Sequence, residues 1–316
     1  RRNWVEAPSS TAARDGLGPH FLARSCGGCH DQDGRGAPPE TNHLGLVTPE
    51  NRTLGLLMRL SVPGIGAHGG VRPDPVYGDQ FNDRAISGVR AEGSLQITRR
   101  PLRGRFADGT AYSLQQPRYA LRQLNYGPTA RGLLTSPRIA PQLPGVGFLE
   151  AIADNDILAN ARAQAEAGDA IRGQPNRVWD AYSGQMRIGR FGWKANVPTL
   201  MHQTAGAFVG DMGITSSIFP SESCTARQHD CGAAPRGGNG AGGDRRNGPG
   251  PEIDDTTLAR VVFYQSTLAP AARREAHAED VMKGQRLFHE ARCATCHRPS
   301  YQTATPPFPA LSSSKL

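Results

Sequence analysis

The chain has 316 residues, 37% of them hydrophobic and 6% aromatic, with a net charge of +8. That is enough for two ordinary domains or one large one, but no stretch approaches the 18 apolar residues of a transmembrane helix. Of its 36 cations only Lys194, Lys283 and Lys315 are lysine, and no basic run interleaved with aromatics reads as a nucleic-acid surface.

In chain order, residues 54–60 form a short apolar run, followed by a loop rich in glycine and proline over residues 63–78. Residues 94–98 alternate polar and apolar, as a strand does. Asp108-Gly109 between short flanks is a hairpin signal, so a small β element is expected near residues 85–115. A helix begins at Asp154 or Asp156, presents Ile157, Leu158, Ala161 and Ala165 on one face, and ends at Gly168. Residues 232–250, eight of them glycine, read as a flexible loop. Another helix starts at Asp254 or Asp255, carries Leu258, Val261, Val262, Gln265 and Leu268 at helical spacing, and closes before Pro270. A last helix runs from Glu279 to Ala291. The expectation is a mainly α, loop-rich fold in two domains. Residues 1–250 form the first, holding the small β element and a large insertion, and residues 251–316 begin the second.

One motif occurs twice. Cys26, Cys29 and His30 stand in "CGGCH", and Cys293, Cys296 and His297 in "CATCH". Two such matches arise by chance with a probability on the order of 10⁻⁵. The flanks agree too, with Phe21 and Phe288 each five residues before the first cysteine, as in an internal repeat. Two thiols add across the two vinyl groups of haem, one helical turn spans the vinyl positions, and the adjacent imidazole faces the iron, so each expected domain reads as a cytochrome c-like haem domain. A thioredoxin-like dithiol requires a βαβ setting absent here. Zinc would join two knuckles more than 260 residues apart and leave both histidines idle. Covalent haem is attached outside the bacterial cytoplasm, so the expected location is the periplasm or another exported compartment.

Four segments carry a resemblance: "DGLGPHFLARSCGGCHDQDGRG", "SPRIAPQLPGVGFLEAI", "GRFGWKANVPTLMHQTAGAFVGDMGITSSIFP" and "KGQRLFHEARCATCHRP". They resemble the di-haem oxidoreductases, a family that carries the label thiol oxidoreductase and is distantly similar to bacterial di-haem cytochrome c peroxidases and MauG-type enzymes. The resemblance implies a redox enzyme with two covalent c-type haems, one receiving electrons from a small redox protein and the other reacting with peroxide or oxygen. An electron-transfer subunit without its own substrate, and an oxygenase similar to polyisoprene-cleaving haem enzymes, stand as alternatives. Family members continue beyond the second motif, so the chain is expected to be a fragment, and residues 298–316 offer no methionine or histidine as a further iron ligand.

By the same resemblance Glu150 is the candidate acid–base group, or else a carboxylate beside a helix N-terminus. Trp193 is a candidate electron relay or a packed aromatic anchor, with Lys194 beside it facing a haem propionate or solvent. Met201, His202 and Met212 are candidate sixth ligands or core residues. Asp211 and Glu252 are candidate calcium ligands. His20 and His289 read as surface residues, and His43 and His68 lie in loops. Cys224 and Cys231, with six residues between them, are expected to pair as a disulfide in an oxidising compartment; a redox-active pair is the alternative.

Overall fold

The computed structural model describes residues 3–7, 9, 14–40, 55–168, 172–237 and 250–304. The chain divides into two compact units, Arg1–Gln142 with Ala205–Leu258 and Leu143–Thr204 with Ala259–Leu316. The helices Leu200–Asp211 and Asp255–Thr267 contribute residues to both. His43, and most of the glycine-rich stretch 232–250, lie outside the described residues.

A mainly α fold with one small β element is not what forms. Ten strands in four sheets stand beside seven α-helices among the described residues, a mixed α/β fold. The strands escaped the sequence reading because they are short or contain proline, glycine and arginine, and because their partners are distant. Leu56–Ile65 pairs antiparallel with Leu134–Ile139, from Leu56 opposite Ile139 to Ser61 opposite Leu134. It also pairs with Gln80–Phe81 and, past an irregularity between Val62 and Ile65, with Val71–Arg72. Much of the expected Gly/Pro loop is therefore sheet. Along this strand Met58, Leu60 and Val62 are buried while their neighbours are less so, the period-2 signature of a half-covered sheet.

The first unit's core gathers Met58, Leu60, Tyr77, Phe81 and Tyr126, with Leu95, Tyr119 and Leu121 packed against it. Tyr77 donates its hydroxyl to Gly127 O at 2.6 Å, so its polar tip is satisfied inside. The hairpin signal at Asp108-Gly109 is realised at larger scale: Ser94–Arg105 pairs with Ala111–Arg122 along twelve positions.

The second unit holds the clearest helices. Asp154–Glu166 opens with Asp154 and Asp156 in its first turn, where carboxylates complement the helix dipole, and Gly168 follows at φ 69°. Asp254 caps Asp255–Thr267, its carboxylate accepting from the Thr257 N–H at 2.7 Å and hydroxyl at 2.9 Å. Phe191, Leu200 and Val262 form the second unit's buried cluster, joined by Val146, Val197 and Met201.

Candidate functional site: two CxxCH turns

The first motif lies in the first unit. Ser25 is extended, and Cys26–Cys29 makes a single helical turn. The His30 N–H donates to Cys26 O at 2.8 Å, which closes the turn and places the imidazole beside both sulfurs in sequence. Neither cysteine is in a disulfide; Cys26 is exposed and Cys29 half-buried. A Cβ on Gly36 would lie 3.1 Å from Cys29 O and 3.1 Å from Gly55 Cα, so the chain passes closely behind the motif. The approach to the motif is tied down as well. Leu22 and Ala23 donate their N–H groups to Asp211 O, and Gln80 Nε2 donates to Gly210 O and to the Asp211 carboxylate.

Burial and then the neighbouring Asp211 carboxylate push the Cys29 thiol up to about 12. A redox dithiol needs a depressed pKa and an electropositive setting, so the surroundings of Cys29 are the opposite of that chemistry. His30 Nδ1 is buried without a hydrogen-bond partner. Two free thiols one turn apart and an imidazole that follows at once fit a covalently attached haem better than a dithiol.

The second motif lies in the second unit. The helix Glu279–Glu290 ends, Arg292 adopts φ 61°, and Cys293–Thr295 forms a 3-10 turn. The His297 N–H donates to Cys293 O at 2.9 Å, the same closure as in the first motif. Cys293 and Cys296 are also free. The buried Gln164 donates from Nε2 to Thr295 O at 2.9 Å and accepts from the Gly173 N–H. Sequence reasoning missed Gln164, although it falls on the helical face of Ile157 and Ala161. The Phe288 ring lies 6.1 Å from the His297 ring. Met282, Leu287 and Phe288 are all exposed, and the helix that carries them buries no residue. An apolar face standing beside a CxxCH turn also fits a large apolar group. The phenylalanine flanks are not structurally alike: Phe21 is buried in a two-residue strand and Phe288 stands on a helix.

Glu150, Trp193, Met201 and His202 belong to the same unit as the second motif. Glu150 Oε1 accepts from the Leu200 N–H at 2.8 Å, at the start of a helix, and burial holds its carboxyl above the usual range. Nearby in the fold, Asp180 is fully buried and accepts from Ser183 and Thr199 hydroxyls. His202 Nδ1 lies 3.4 Å from Asp180 and receives the Ala181 N–H at 3.1 Å, while burial lowers its basicity. No local pattern in the sequence singles out Asp180. Trp193 and Lys194 are exposed, and Met201 packs on the buried cluster.

Met212 and Asp211 lie in the first unit, Met212 buried. Asp211 faces the first motif, whereas Glu252 accepts from Thr215 and the Gly237 N–H. No group of three or more His, Cys, Asp or Glu side chains among the described residues is placed to hold a metal ion. His20, expected at the surface, is buried between Arg90 O and the Tyr126 hydroxyl. Cys224 and Cys231 form the expected disulfide. No helix among the described residues is long and apolar enough to cross a membrane.

A family model described as "Di-haem oxidoreductase, putative peroxidase" matches residues 130–309, more than half of the chain. The chain belongs to the di-haem oxidoreductase family. The match spans Glu150, Trp193 and the second CxxCH turn; the first turn lies upstream of it. No curated protein and no solved structure matches this di-haem oxidoreductase.

Proposed function

We propose that this di-haem oxidoreductase is an exported, peroxidase-like enzyme with one c-type haem on each CxxCH turn. Cys26 and Cys29 hold one haem with His30 on its iron, and Cys293 and Cys296 hold the other with His297. The observation that carries this reading is the repeated turn, histidine N–H to first-cysteine carbonyl, once in each unit of a chain that belongs to a redox family. The disulfide Cys224–Cys231 supports an oxidising compartment. When bound, the haems supply electron storage and a site for peroxide or oxygen. Reduction of peroxide to water consumes two electrons, delivered by a small redox protein, and two protons. Glu150 is the group proposed to hold and move a proton, since its raised pKa keeps the acid form available. Trp193, on the surface of its unit, is the proposed relay residue.

The test is expression in a cell that exports and matures c-type cytochromes, followed by denaturing extraction and mass measurement. The full chain is expected to keep two haems, and Cys293→Ala with Cys296→Ala to keep one, located at residues 26–29. A bare chain, or two haems on that variant, overturns the proposal. With two haems attached, Glu150→Gln keeps an oxygen for the Leu200 N–H but cannot carry the proton. It is expected to lower peroxide turnover by about a hundredfold; full-length protein that takes up electrons but never reduces peroxide would identify an electron carrier instead.

A further inference from the structure

The hairpin Ser94–Arg105 with Ala111–Arg122 plays no part in the chemistry above, and it lies upstream of the residues the family model matches. Its root is anchored: Leu95, Tyr119 and Leu121 pack on the first unit's core. Its outer part is uncovered among the described residues. Leu102 and Leu114 stand directly opposite each other on one face, 40% and 59% exposed. On the same face Tyr112 lies across Gly104, where a Cβ would come within 2.4 Å of its ring. Phe106, 61% exposed at the turn, packs its ring 4.9 Å from that of Tyr112. The result is a continuous apolar tip open to solvent.

Cations surround this tip. The hairpin strands carry Arg99, Arg100, Arg103, Arg105, Arg118 and Arg122, and the only acidic residue between residues 94 and 122 is Asp108. Arg100 and Arg118 share the face of Leu102 and Leu114, whereas Arg103 and Arg105 occupy the other face. The side chains of Arg100, Arg103 and Arg118 are exposed and form no hydrogen bond or ion pair among the described residues. The strand edges are poor templates for another strand, because Pro101 and Pro117 cannot donate to it. Recognition therefore uses the faces and the tip.

We propose that this hairpin docks the protein on an anionic lipid bilayer. Apolar side chains at the tip enter the interface, and arginines on both faces meet lipid phosphates around it. A protein partner would engage one face; charge on both faces suits a tip surrounded by headgroups. The occupant also absorbs the exposed Leu102, Leu114 and Phe106, which an acidic hydrophilic surface would not.

The test is co-sedimentation of the full chain with phosphatidylglycerol-containing vesicles and with phosphatidylcholine vesicles. Binding is expected only to the former, falling as salt is raised. The variant R100Q/R103Q/R118Q is expected to weaken binding about a hundredfold, and L102S/F106S/L114S at least about tenfold. R100K/R103K/R118K is expected to stay within a few-fold of the parent, since lipid attraction needs charge rather than a fixed fork. Circular dichroism and melting of each variant check folding, and the salt and lipid dependence of the unaltered protein stands whether or not a variant folds. Equal binding to both vesicle types, no binding to either, or unchanged binding by the glutamine variant overturns the proposal. So does hairpin-dependent capture of an acidic protein or single-stranded nucleic acid with no vesicle binding.

Discussion

Glu92 shows how much one buried carboxyl can impose. It is 1% exposed, accepts from the Asn82 N–H and from Gln228, and stands 3.8 Å from the buried His20. Burial pushes its carboxyl up to about 8, so the fold prefers the protonated acid. A carboxyl whose folded pKa is raised contributes stability in full below its ordinary value of 4.5, and that stability is lost as pH rises towards 8. His20 acts with the opposite sign: burial lowers its pKa, so its contribution is lost as pH falls below the ordinary 6.5. Melting temperature followed against pH is therefore expected to fall for the parent relative to Glu92→Gln between about pH 5 and 8. Parallel curves for the two proteins would show that Glu92 is ionised throughout.

Among the elements, the short helix Val146–Ala151 is placed by a backbone that comes closer than a side chain permits. A Cβ on Gly147 would lie 2.1 Å from the carbonyl oxygen of Ser266 on the helix Asp255–Thr267. That approach sets the position of Glu150, three residues on, whose carboxylate meets the Leu200 N–H. Gly147→Ala is expected to destabilise the protein by about 2 kcal/mol or more, read as a lower denaturation midpoint, and to move Glu150 from Leu200. A midpoint equal to the parent's would mean that the two helices separate at little cost. The motif turns behave differently, because one short hydrogen bond from residue five to residue one closes each of them locally.

At the scale of the molecule, the disulfide Cys224–Cys231 closes a short loop in a chain otherwise free to lose all local order on unfolding. Within that loop Gln228 reaches Glu92 and Asp230 reaches Arg90 at 3.0 Å. Replacing both cysteines by alanine is expected to cost about 2–3 kcal/mol from chain entropy. The cost should appear as a lower melting temperature, reproduced in the parent by a reductant. A parent indifferent to reductant would show that the link adds nothing. The disulfide was legible because only two cysteines remained outside the motifs. The helices were legible for a related reason: Asp254 and Gly168 act on the backbone within a turn of themselves, although Asp154 makes no capping hydrogen bond and pairs with Arg190 instead.

Apart from the hairpin around Asp108-Gly109, the sheets were not legible. Leu56 meets Ile139, and Gln80 meets Asp211, across 83 and 131 positions of chain, and nothing near either residue announces its partner. Pro63 opened the expected glycine- and proline-rich loop, yet it sits inside a strand, as Pro101 and Pro117 do. His20 read as a surface residue because it merely precedes the first motif by a few positions; Tyr126 and Arg90, which enclose it, arrive from 106 and 70 positions away.

By itself the sequence determined what one helical turn can hold: two CxxCH motifs with their chemistry, the helix caps, and the last pair of cysteines. Tertiary structure alone decided which side chains surround those motifs, which carboxyls lose their water, and which arginines and leucines remain outside. The reason is range. Covalent spacing and capping are satisfied within a few residues, whereas burial depends on partners that only the folded chain brings near.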